Sequence, residues 1–218
     1  MKTNISIRKA TEKDIPFLIE TIIAAEKSGT ETIAYCSIFS LGKEEFTELL
    51  KNILEEDIQG QELCVSDFLI AEEKGISVGA CCGWIEGENG TSSSLKANIL
   101  HYFLGEEKIA EAQGIMKIAD ALHIEREADA LQLESIYIRT EYRGKGILQV
   151  LYDTFITEAK KRKHDLKKAQ IQLMKTNETA LKAYDKLGFE IICEKHSDNP
   201  EILRILPSHH KVMMQKLV

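Results

Sequence analysis

No stretch of the 218-residue sequence reaches the ~20 consecutive apolar residues that span a bilayer. The opening "MKTNISIRKATEKD" lacks the apolar centre of a secretory signal. A soluble, cytoplasmic protein with no membrane partner is therefore expected. Five cysteines (Cys36, Cys64, Cys81, Cys82, Cys193) make an odd number without a CxxC pair, and no His or Cys stands at zinc-ligand spacing around them. Reduced thiols and no metal are expected, with Cys81 and Cys82 read as small buried hydrophobes inside an apolar run. Basic residues are not in excess: 28 Lys and Arg against 35 Asp and Glu give a formal net charge of -7. That argues against a nucleic-acid partner and tilts towards a cationic small molecule, although solubility alone gives the same sign. Only three prolines punctuate the chain, and no internal repeat is evident.

What is present is ordinary for a globular protein, at 44% apolar and 29% charged residues. A chain of this length buries roughly 70% of its unfolded surface, so one domain over 1–218 is expected. "NISIRKA" alternates as a strand does, and "TEKDIPFLIETIIAAEKSG" opens a helix on a capping-type Thr11. Phe46, Leu49, Leu50 and Ile53 share one face of a second amphipathic helix. "DFLIAEEKGISVGACCGWIEG" reads as a hairpin turning at Lys-Gly. Between Glu86 and Ala130 the texture changes to a polar loop, "ENGTSSS", followed by a stretch that reads as helical to Ala130, with Gly105 and Gly114 as expected breaks. "LQLESIYI" returns to strand, Leu148, Leu151, Phe155 and Ala159 mark a helix ending in "KKRKH", and "KAQIQLM" is a further strand. The helix "NETALKAYDKL" stops at Gly188, and "FEIICEK" and "HHKVMMQKLV" supply the last two strands.

The stretch "TEYRGKGI" places Arg143, Gly144, Lys145 and Gly146 between a strand and a helix. It fails the dinucleotide pattern GxGxxG, which needs glycine where Gln149 stands, and it fails the Walker spacing. Backbone N–H groups at a helix start, with the positive end of the helix dipole behind them, nevertheless form an anion site, and Arg143 and Lys145 add charge. An ordinary connecting loop would use the same glycines for positive φ. Further on, Asn177, Ala180 and Tyr184 are spaced to share one helical face. Alone, Asn177 reads equally as a helix cap and Tyr184 as a core aromatic.

In this order and separation the two segments resemble the GNAT superfamily of CoA-dependent N-acetyltransferases, most strongly over Leu131 to Phe189. The loop departs from the family pattern at Glu141, where Gln or Arg is usual, and at Leu148, where a small residue is frequent. The resemblance implies an α/β (α+β) fold, with a mixed, mostly antiparallel sheet flanked by helices and a helical insertion, 86–130, between the third and fourth strands. It implies acetyl-CoA as cosubstrate, with its pantetheine arm along Ile136, Tyr137 and Ile138. Gly144, Lys145, Gly146, Ile147 and Leu148 would cradle its pyrophosphate, and the face of Asn177, Ala180 and Tyr184 would border it. The implied reaction is direct transfer of an acetyl group to a primary amine, with Tyr184 assisting the leaving sulfur and Glu134 as the candidate base. Many relatives carry their carboxylate two positions earlier, where this chain has Gln132. The acceptor, a small molecule rather than a protein, would enter near Glu26, Lys27, Tyr35 and Phe39, beside the first two helices and the loop joining them. The insertion would wall that cleft, cover it as a lid, or carry a homodimer contact. A non-catalytic acyl-CoA-binding or regulatory module of the same fold is the alternative, and an unrelated α/β nucleotide-binding protein is a third reading.

Overall fold

The computed structural model describes residues 5–88 and 92–218, apart from the side chains of 92–94. Strand β1 (Ile5–Lys9) leads into helix α1 (Ile15–Lys27). The join is fixed by Asp14, which accepts two hydrogen bonds from the Arg8 guanidinium at 2.8 Å and one from the Thr11 N–H at 2.9 Å. Thr11 thus acts at a short 3-10 turn ahead of the helix, one step earlier than a direct cap of α1. Helices α2 (Ala34–Phe39) and α3 (Lys43–Glu56) follow, and α2 occupies a stretch that the sequence reading treats as loop. No side chain caps α2, so six residues of "AYCSIF" carry no start signal.

Strands β2 (Phe68–Glu73) and β3 (Ile76–Ile85) form the expected hairpin, and both turn residues, Lys74 and Gly75, have positive φ. Their side chains alternate between two cores: Phe68, Ile70, Ala80, Cys82 and Trp84 face α1 to α4, while Leu69, Ala71, Val78, Cys81 and Ile85 face the opposite side. All five cysteines are free thiols, and Cys81 and Cys82 are buried.

The helical insertion, α4 (Ser92–Ala119), lies between β3 and β4 (Leu131–Ile138). It breaks at Gly105, whose φ of 80° and ψ of 163° are accessible essentially to glycine alone. Gly114 makes no break, because an isolated glycine weakens a helix without ending it. The helical expectation for 123–130 also fails: a 3-10 turn ends at Leu122 and His123 is extended. Of the polar stretch 88–94, residues 89–91 lie outside the described residues, and helical backbone already begins at Ser92.

Helix α5 (Ile147–Arg162), β5 (Lys168–Met174), α6 (Glu178–Lys186), β6 (Glu190–His196), a single-turn α7 (Ile202–Ile205) and β7 (His210–Leu217) complete the chain. The basic end of α5 pairs with the insertion's flanks, Arg162 with Glu88 at 3.0 Å and Lys163 with Asp129 at 3.0 Å. The seven strands form one mixed sheet in the order β1-β2-β3-β4-β5-β7-β6, antiparallel everywhere except β4 against β5. That exception positions the site. β4 and β5 pair only over Leu131–Leu133 against Ala169–Ile171 and then part. Where they part, β4 carries an extra residue relative to β3, and Ser135 takes a φ of 47°. Among the described residues no helix is long and apolar enough to cross a membrane.

Candidate active site

A cavity of about 440 Å3 opens where β4 and β5 separate. It reaches both faces of the sheet, because Phe39 and Leu100 of one core and Leu133, Ile171 and Tyr184 of the other all line it. Glu134, Ser135 and Ile136 form its β4 edge, and Lys96, Met116, His123 and Arg126 of the insertion form a wall. The expected acceptor region is here in part: Glu26, Tyr35 and Phe39 line the cavity, whereas Lys27 does not and pairs with Glu31.

Charge inside the cavity is organised around Glu62. Its carboxylate accepts from Lys96 Nζ at 2.8 Å, from Arg126 at 2.8 Å and from the Tyr35 hydroxyl at 3.2 Å. Burial opposes ionisation of Glu62, but the two cations outweigh it and bring its pKa down to about 2. Arg126 also donates to Glu134 at 3.0 Å and lies 5.2 Å over the Trp84 ring. Burial raises the pKa of Glu134, and the Arg126 guanidinium works against that rise. The Glu26 side chain makes no hydrogen bond or ion pair among the described residues. Burial and the nearby Glu62 push its carboxyl up to about 7. The Lys211 side chain, at the start of β7, has no hydrogen bond or ion pair among them either, and burial lowers its pKa.

Helix α6 presents Asn177 and Tyr184 to the cavity. Asn177 is also a helix cap, accepting from the Ala180 N–H at 3.2 Å, so its two readings hold together. Ala180 packs against the α5-side core and does not line the cavity. Tyr184 is 7% exposed, and its hydroxyl makes no hydrogen bond among the described residues. Burial, then Cys81 and Glu134, raise its pKa, which keeps the hydroxyl protonated. Gln132 is buried away from the cavity in an amide network, donating to Gln170 at 2.9 Å. Tyr137 turns to the α1 side, 6.3 Å from the Phe17 ring, in a packing role.

The glycine loop lies at the other end of the split. Gly144 and Gly146 have φ of 73° and 79°, and a Cβ built on either would meet nothing within 4 Å. The first helical bond of α5 runs from the Val150 N–H to the Gly146 carbonyl at 3.2 Å, which leaves the preceding N–H groups without helical acceptors. Ile147 is buried and Leu148 partly buried, so these two anchor the helix start while the glycines stay open. Arg143 is drawn back by a 3.0 Å bond from Nε to the Ile138 carbonyl, and Lys145 sits 4.4 Å over the Tyr142 ring. An open glycine turn ahead of a 16-residue helix is a fitting seat for a diphosphate. Ile136 and Ile138 lie beyond the last β4–β5 pair, where β4 has no β5 partner. Among the described residues no group of His, Cys, Asp or Glu is placed to hold a metal ion.

Several residues of the site escape sequence reasoning. Glu62, Lys96, Arg126 and Lys211 come from four separate segments, and Arg126 sits in a stretch whose composition suggests helix. Only the strand-loop-helix order points towards them.

Comparison with known proteins sharpens the fold. An N-acetyltransferase from Staphylococcus aureus Mu50 superposes with a TM-score of 0.64 at 19% identity, covering 97% of this chain and 100% of that one. A ribosomal-protein-alanine N-acetyltransferase from Brucella melitensis gives 0.53 at 19% identity, over 98% and 99% of the two chains. The PaiA N-acetyltransferase from Thermoplasma acidophilum, in complex with coenzyme A, gives 0.50 at 17% identity, over 99% of each. A search of curated protein sequences returned no match. The acetyltransferase (GNAT) family profile matches residues 36–189, a span that runs from α2 through the split strands and the glycine loop to the end of α6. With most of the chain and both of the parting strands, β4 and β5, inside that match, this protein belongs to the GNAT acetyltransferase family.

Proposed function

We propose that the protein is an N-acetyltransferase that moves an acetyl group from acetyl-CoA to the primary amine of a small molecule by direct attack. The observation that carries this reading is the parting of β4 and β5 beside an open glycine turn, with Tyr184, Glu26 and Glu134 in the cavity between. The CoA-bound neighbour of the same fold supports it. Acetyl-CoA would supply the activated acyl group.

Every other part of the chemistry falls to this chain. The N–H groups from Gly144 to Leu148, with Lys145, hold the diphosphate, and the free edge of β4 from Ile136 to Ile138 holds the extended arm. Arg143, held at the end of β4, flanks the diphosphate seat, and Asn177 borders the arm from the start of α6, with Ala180 packed in the core behind. Tyr184 donates a hydrogen bond to the departing sulfur. A thiol near 8.5 and a tyrosine near 10 already make full proton transfer uphill by about 2 kcal/mol, and burial of Tyr184 widens the gap. Its part is therefore that of a positioned donor. The amine must lose a proton before it attacks. Glu134, fixed by Arg126, holds the incoming ammonium, and Glu26, unpaired and with a pKa of about 7, accepts the proton directly or through water.

The test is calorimetric titration with acetyl-CoA, for the wild type and for Gly144→Glu. No atom lies within 4 Å of the new Cβ, so the variant is expected to fold, with a cost of about 1–2 kcal/mol for the positive φ. The negative side chain in the diphosphate seat should weaken binding by at least ~10-fold. A wild type that binds neither acetyl-CoA nor CoA removes the basis of the proposal. Release of free thiol with an amine panel then separates an enzyme from a binding module.

A further inference from the structure

The cavity holds three carboxylates, Glu26, Glu62 and Glu134, and three cations, Lys96, Arg126 and Lys211, but not all of them are paired, and the unpaired ones describe the acceptor. Glu62 is met by Lys96 and Arg126, and Glu134 by Arg126. Asp120 stands exposed at the rim. Along the lining, Glu26 on α1 and Lys211 on β7 make no hydrogen bond or ion pair among the described residues, and neither do the Tyr184 hydroxyl and the exposed His123 of the wall. Glu26 and Lys211 lie within electrostatic reach of the Glu62 and Glu134 carboxylates and of each other. Lys211 is half-buried in a largely apolar lining and has no ion-pair partner among the described residues, so it is placed to receive an anion from outside. The diphosphate seat cannot serve, since it lies at the α5 end of the split and is built from other residues.

Building on the acetyltransferase reading, we infer that the acceptor carries a carboxylate of its own, an amino acid rather than a polyamine, with its carboxylate on Lys211 and its amine between Glu26 and Glu134. An acceptor with two or more ammonium groups and no anion would leave Lys211 unpaired and add cation to a site that already holds Lys96 and Arg126. The remainder of the lining is apolar, with Ile38, Phe39, Leu100, Met116, Leu122 and Leu206. The acceptor's side chain is therefore apolar or aromatic, and it fits within about 440 Å3. This reverses the tilt towards a purely cationic acceptor that the net charge suggests, because the local pairing in the cavity outweighs the charge of the whole chain.

The experiment uses matched probes: phenylalanine against phenethylamine, and leucine against 3-methylbutylamine, each pair differing by a carboxylate. Thiol release is followed at saturating acetyl-CoA for the wild type and Lys211→Met, and acetyl-CoA affinity is measured separately for both. The wild type should prefer at least one amino acid over its amine by about tenfold or more in kcat/KM, mainly through KM. Lys211→Met should abolish that preference, read as the ratio of kcat/KM within each matched pair, while leaving acetyl-CoA affinity unchanged. Preference for the bare amines by the wild type, or an equal loss on both members of a pair in the variant, overturns the inference. If acetyl-CoA binds and no probe turns over, calorimetry with the same four probes in the presence of CoA decides between the outcomes. Binding of an amino acid but not its amine supports the carboxylate site, and binding of neither amino acid overturns it. Loss of acetyl-CoA binding would instead defeat the acetyltransferase reading, so the two failures are told apart.

Discussion

At the scale of single residues, the site is governed by which charges are paired. Glu62 carries two cations and is fixed as an anion, so it organises the cavity and takes no part in proton transfer at neutral pH. Glu26 faces Glu62, Glu134, Lys96 and Lys211 without touching any of them, and its raised pKa follows from burial first and the neighbouring carboxylates second. A base must be deprotonated to act, so kcat/KM is expected to rise with pH through about 7. Glu26→Gln should remove that limb and lower kcat by about 100-fold, whereas Glu134→Gln should raise the acceptor KM and keep the limb. A pH–rate profile for the three proteins reads this directly. Stability follows the same group with its own sign. The folded-state pKa lies above the ordinary 4.5, so stability is full below that value and declines as pH rises through about 7. Glu26→Gln should therefore melt higher than the wild type at pH 8 and not at pH 4. Melting curves that keep the same order at both pH values would count against a buried, titrating Glu26.

At the scale of elements, close packing of α5 on the sheet sets the position of the glycine loop. Gly83 of β3 is the contact that allows it: a Cβ there would stand 2.7 Å and 2.8 Å from Phe155 ring atoms and 3.0 Å from Leu133. Gly83→Ala should cost about 1–3 kcal/mol by overpacking, read from urea denaturation. A Phe155→Leu change in the same chain should recover part of that loss, since the two residues share one contact. The strand-loop-helix and "NETALKAY" segments are legible in the sequence because their signals are local: a glycine at positive φ, an Asn cap, apolar residues at helical spacing. Other elements are not. α2 and α7 are too short to show a period, and α2 has no capping side chain. Residues 123–130 have helix-like composition but leave the helix after Leu122, with His123 extended, a turn at 128–129, and Arg126 engaged by Glu62 and Glu134. Glu62 meets residues 34 and 64 positions away, and no local pattern encodes such pairs.

At the scale of the whole molecule, the cavity joins a half written in local motifs to a half assembled from distant ones. The proposed cofactor seat belongs to β4, α5 and α6, and the wall proposed to receive the acceptor belongs to α1, α2 and the two arms of α4. The arms meet at Gly105, and each contributes to the wall: Lys96 and Leu100 from the first, Met116 and Ala119 from the second. The conformation at Gly105 is one that a side chain resists whatever the space, and here the space is open, with no atom within 4 Å of a built Cβ. Gly105→Ala therefore isolates the bend from any packing change. The strain, about 1–3 kcal/mol, favours rotating the arms out of their present angle. That would draw Lys96 from Glu62 and open the acceptor side, while the glycine loop, which shares no residue with α4, stays as it is. The expected result is a several-fold higher acceptor KM with unchanged acetyl-CoA affinity. Equal weakening of both ligands would mean that the two halves are mechanically coupled through the sheet, and the split at β4 and β5 would then be a hinge rather than a fixed opening.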